Sequence, residues 1–89
     1  MEPDVPIFTE LVNRLFATHP NPKTGREYTA VEIVVVSQGA IAEGHLRRLR
    51  KGRIRNPTRE TLLALCRVFR VQPIYFFPEL ADETDLTLS

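Results

Sequence analysis

Apolar residues at Phe8, Leu11, Val12, Leu15 and Phe16 follow one another at steps of three and one, which gathers all five on one stripe of a helix turning about 100° per residue. Glu10, Asn13, Arg14 and Thr18 fall largely on the other side, so the spacing predicts an amphipathic helix over Ile7 to Thr18. Pro20 and Pro22 forbid its continuation, and His19 to Arg26, with Gly25, reads as an exposed loop. A second element starts at Thr29, placed as an N-cap with Glu32 three residues on in the arrangement of a capping box. Its apolar residues, Val31, Ile33, Val34, Val35 and Val36, are all β-branched, so a buried strand stays open as an alternative to the helix that the cap favours. Ser37-Gln38-Gly39 closes the element, with Gly39 suited to a positive φ.

Glu43 to Lys51 forms the third predicted helix, and its apolar stripe is narrow: Leu46 and Leu49 face inward, while Gly44, Arg47, Arg48 and Lys51 share the opposite side. Gly52 ends it and Arg53 to Pro57 makes a basic connection. Thr58 caps a fourth helix with Leu62, Leu63, Leu65, Cys66 and Phe69 on its buried side, and Arg67 and Arg70 at its dipole-favoured C-terminal end. Pro73 opens a short aromatic turn through Phe77, stopped by Pro78. Adjacent Phe76 and Phe77 cannot both point inward, which leaves one ring for a surface patch that a second copy could cover. Residues 1–6 read as a disordered N-terminus, 7–79 as one folded domain and 80–89 as a flexible acidic tail.

A chain of 89 residues, 43% of them hydrophobic, is enough for one small domain and too apolar to stay unfolded. No run approaches a membrane span and the start lacks the pattern of a secretory signal, so the expected location is the cytoplasm. Lone Cys66 has no disulfide partner, His19 and His45 are far apart, and no metal-ligand spacing is present; a cofactor is not expected. The net charge of +1 conceals a strong polarity. Arg47, Arg48, Arg50, Lys51, Arg53, Arg55 and Arg59 are seven of the twelve Lys and Arg, with no acid among them, whereas Glu79, Asp82, Glu83 and Asp85 crowd the last eleven positions. Such a distribution creates a local positive field that the total hides.

The order of cap, short helix, glycine turn, basic helix ending in Leu49-Arg50-Lys51-Gly52, then Asn56-Pro57-Thr58 and the closing Pro73-Ile74-Tyr75-Phe76-Phe77 resembles the xenobiotic-response-element family of lambda-repressor-like domains. The resemblance covers Ile7 to Glu79. Asn13-Arg14-Leu15-Phe16, the proline-containing first loop and the Arg-Asn-Pro run look most like EspR-type actinobacterial regulators. It implies an all-α, five-helix DNA-binding domain with a helix-turn-helix, whose third helix enters the major groove. In that position Glu43, Gly44 and Arg48 would read bases, with Arg47 and His45 at the margins of the face. A bidentate bond from Arg48 to guanine and a bond from a cytosine amino group to Glu43 are the expected modes. Thr29 at a helix start, His45, Arg50, Lys51, Arg53, Arg55 and Arg59 would meet phosphates.

Three departures from the family pattern point to modest sequence specificity: Ala30 replaces a polar residue, the turn between the second and third helices reads as about two residues, and Ala42 supplies no hydroxyl cap. The expected role is a bacterial transcriptional regulator or nucleoid-associated protein acting as a homodimer on double-stranded DNA. The competing role is a protein-interaction module, an antitoxin or adaptor on the same scaffold. No nucleophile, acid-base pair or phosphate loop marks an enzyme. Arg48→Ala with Arg50→Ala is expected to abolish DNA binding while the fold persists.

Overall fold

A computed structural model describes residues 5–79. Among them are four α-helices and no strand: α1 (Ile7–Thr18), α2 (Ala30–Val36), α3 (Glu43–Arg50) and α4 (Arg59–Phe69), followed by a 3-10 turn at Pro73–Tyr75. The expected fifth helix is therefore a single tight turn. Pro73 starts it, Phe76 caps it with its ring buried, and Pro78 two residues on bars a helical continuation through Phe77. The disordered N-terminus and the acidic tail expected from the sequence fall, apart from Val5 and Pro6, outside the described residues. Pro6 itself is buried, and its carbonyl accepts the Glu10 amide at 3.2 Å.

The predicted stripe of α1 supplies the floor of the core: Val12, Leu15 and Phe16 are wholly buried, with Phe8 and Leu11 half-buried beside them. Ile33 from α2, Leu46 and Leu49 from α3, and Leu62 and Leu65 from α4 complete it. Aromatic edges lock the interior, with Phe16 and Tyr28 meeting Phe69 edge-on at 66° and 88°, and 5.2 and 5.5 Å between centroids. Phe76 packs inward against Phe8 at 6.3 Å, while Phe77 stays half-buried, as two neighbouring rings require. Cys66 is a core residue whose thiol burial pushes up from its ordinary value.

The β-branched run is helical. Thr29 accepts the Glu32 amide at 3.1 Å and donates its own amide to Glu32 Oε1 at 2.9 Å, so both halves of the capping box are present. The end of α2 departs from expectation in two ways. The amide of Gln38 bonds the Val35 carbonyl and that of Gly39 the Val34 carbonyl, the paired bonds of a Schellman ending, and the left-handed residue that begins it is Gln38 (φ 56°), with Gly39 (φ 80°) following. The connection to α3 is accordingly six residues, 37–42, and not about two. It carries a core residue of its own, Ile41. The first loop also differs from a plain exposed segment. Asn21 is buried, exchanges backbone bonds with Arg26, Thr24 and Gly25, and accepts the Lys23 amide on its side chain at 2.9 Å.

Candidate nucleic-acid interface

Leu46 and Leu49 anchor α3 with no exposed surface, and Glu43, His45 and Arg50 flank them half-buried. Gly44, Arg47 and Arg48 are exposed on that outer side, Glu43 is half-buried at its start, and Lys51 caps its end in the open. Ala42 contributes no capping side chain. The charges compensate: Glu43 stands in the first turn and Arg47, Arg48 and Arg50 in the last, each matched to the helix dipole. Gly44 has an ordinary helical backbone, and a methyl there would meet only the Arg48 guanidinium at 3.5 Å. Its place in the helix is thus not dictated by conformation.

What holds this helix in position comes from α1, through two residues to which the sequence reading gives no such role. The Thr9 hydroxyl, buried, donates to the Leu49 carbonyl at 2.8 Å. Asn13 donates through Nδ2 to the Arg50 carbonyl at 3.1 Å and accepts the Arg50 Nε at 2.7 Å. These are the last carbonyls of α3, the groups a helix end leaves without an internal partner. Pro6 lies under the same end, 3.4 Å from where a β-carbon on Gly52 would stand, and Gly52 turns the chain at φ 81°. The signal was in the sequence: Thr9 sits on the α1 stripe with Val12 and Phe16, and Asn13 is one turn beyond it.

Arg50 is placed differently from the sequence expectation. Beyond its bond to Asn13, its guanidinium lies 3.8 Å from the centre of the Phe16 ring and 3.6 Å from Glu27 Oε1. One side chain ties α1, the end of α3 and the segment leading to α2, so removing it cannot leave the fold untouched. Its outer edge still faces a cleft, lined also by Asn13, Ala30, Arg47 and Lys51. Thr29 adjoins this cleft through Ala30, with its hydroxyl engaged in the cap. His45 is also not the surface residue expected: it is half-buried, and its Nε2 is enclosed without a hydrogen-bond partner among the described residues.

The remaining predicted cations line up beyond α3. Arg53 is exposed and its amide folds back onto the Arg48 carbonyl at 2.9 Å; Arg55 is exposed in the same loop. Arg59 begins α4, exposed, with its guanidinium 5.1 Å from the Phe77 ring. Glu43, the acid on α3, pairs with Arg47 at 3.0 Å. Arg47 is largely in water and Glu43 partly so, which leaves the pair weak and open to exchange for a base or a phosphate. The structure thus brings Glu43, Gly44, Arg47, Arg48 and Lys51 onto one ridge, continued by Arg53, and sets Arg50 and His45 into its base.

No group of His, Cys, Asp or Glu that could hold a metal ion is found among the described residues, and no helix among them is long and apolar enough to cross a membrane. Residues 36–74, from the last residue of α2 into the 3-10 turn, match the family described as the Cro/C1-type HTH DNA-binding domain. No curated protein matches the chain significantly. The family match supports DNA binding by a regulator.

Proposed function

We propose that this chain, with a Cro/C1-type segment at residues 36–74, binds double-stranded DNA as a bacterial transcriptional regulator or nucleoid-associated protein in the cytoplasm, with α3 in the major groove. The observation that carries the reading is the two-sidedness of α3. Its two leucines are fully buried and its terminal carbonyls are held by Thr9 and Asn13, while Arg47, Arg48 and Lys51 project outward. A rigid cationic rod of this kind fits a groove about 12 Å wide between phosphate walls.

Arg48 and Glu43 read bases, Arg47 works at the edge of the same face, and Gly44 admits close approach. Lys51, Arg53, Arg55 and Arg59, with the open edge of Arg50 and the start of α2 at Thr29, meet the backbone. His45 packs beneath the helix in this reading. Two copies would place their third helices in half-sites about 34 Å apart, which gives a small domain enough contacts for tight binding. The narrower likeness to EspR-type regulators belongs to the same proposal and favours broad coating with modest specificity. Genome-wide mapping of bound DNA separates that pattern from a few local operators.

The test is duplex binding by fluorescence anisotropy across a salt series. Arg48→Ala with Lys51→Ala is expected to weaken binding and to reduce the slope of log affinity against log salt by about 1 for each phosphate contact removed. Unchanged affinity in this variant, with the fold intact by circular dichroism, ends the proposal.

A further inference from the structure

Away from the α3 ridge, a groove runs between the end of α2, the first loop and the last turns of α4. Two adjoining hollows form it and share Val36, Arg67 and Val68. Tyr28 and Phe69 floor one and Ala64 the other, and no carboxylate of the described residues lines either. Val36 leaves 49% of its surface in water there. Three exposed cations, Lys23, Arg67 and Arg70, stand along the groove, and none has an ion-pair partner among the described residues.

We infer that this groove is the docking site of the chain's own residues 80–89. That segment carries Asp82, Glu83 and Asp85, then Leu86 and Leu88, with Leu80 at its start and no cation. Three carboxylates answer three unpartnered cations, and the leucines answer an apolar floor, so the segment and the groove match in both kinds of chemistry. The α3 ridge is as basic but offers no comparable apolar floor, and it already carries Glu43. Reach is sufficient. The segment follows a turn tied to α1 by the Tyr75 hydroxyl on the Leu11 carbonyl at 2.7 Å, and the groove begins at Thr18, about 10 Å further along the helix. Ten extended residues span up to about 33 Å. Tethering gives an effective concentration of order millimolar, which favours the chain's own segment over that of a second copy. No α3 residue lines the groove, so docking leaves the ridge open.

The test uses amide shifts of the full chain. Two tail variants, Asp82→Asn with Glu83→Gln and Asp85→Asn, and separately Leu86→Ser with Leu88→Ser, are each expected to move the amides of Val36, Arg67 and Val68. Lys23→Gln with Arg67→Gln is expected to move those of Asp82 to Leu88. All these shifts should persist unchanged on dilution. The inference is overturned if the tail variants leave the groove amides in place, if they move Arg47 and Lys51 instead, or if the groove shifts fade on dilution, which would identify a second copy as the occupant.

Discussion

Single side chains decide how firmly α3 is presented. Thr9 is buried and spends its one donor on the Leu49 carbonyl, so Thr9→Val keeps the shape and leaves that carbonyl to backbone amides alone, that of Gly52 at 3.2 Å. The expected cost is about 1 kcal/mol of unfolding free energy in urea titrations, with weaker DNA binding because the helix end loosens. Tyr75 makes a titration prediction. Burial raises its phenol above the ordinary 10.0, and its hydroxyl donates to Leu11. The folded chain therefore keeps this proton at a pH where the unfolded chain gives it up, and stability present below about 10 declines as pH rises through the folded value. Cys66, also raised by burial, pushes the same way from its ordinary 9.0. Thermal melts across this range should fall, and Tyr75→Phe should flatten the upper part of the decline.

At the scale of elements, α2 shows a local cap overriding residue preference. Val31 and Val35 are exposed at 53% and 69%, so neither gains packing that would account for β-branched residues in a helix. Thr29 and Glu32 hold the first turn and the Schellman ending holds the last, even at the cost of a left-handed Gln38. The two effects separate by mutation. Thr29→Ala should lower stability by about 1 kcal/mol through loss of the cap, whereas Val35→Ala should raise it by about 0.5 kcal/mol through helix propensity alone. Chemical denaturation of both variants checks the signs, and a stabilised Thr29→Ala would show that the cap is not what defines α2.

Across the whole molecule, the basic cluster divides into cations that hold the fold and cations that face outward. Arg50 bridges Asn13, Phe16 and Glu27, whereas Arg48 projects from α3. Arg50→Ala should cost about 2 kcal/mol of stability along with DNA affinity, and Arg48→Ala should cost affinity with stability changed by less than about 0.5 kcal/mol. Calorimetric melts beside binding curves make the distinction. The double variant suggested by sequence would have blurred these two roles, since loss of binding could follow from loss of the clamp.

The sequence by itself determined α1, α3 and α4, the two threonine caps, the buried stripe of α1 and the inward leucines of α3, and for α2 it favoured a helix while leaving a strand open. Each of these is set by neighbours three or four positions apart, which a linear reading can see. It also determined that the charge is concentrated in one stretch. Only the tertiary structure decided that Arg50 is claimed by residues 37 and 34 positions away, and that His45, just before the stretch, is enclosed. It likewise decided the six-residue turn, where Ile41 is drawn into a core built by all four helices, and the single-turn ending at Pro73–Tyr75, where Phe76 meets α1. Helix periodicity is a local property; the allocation of polar groups and the lengths of turns depend on which surfaces meet.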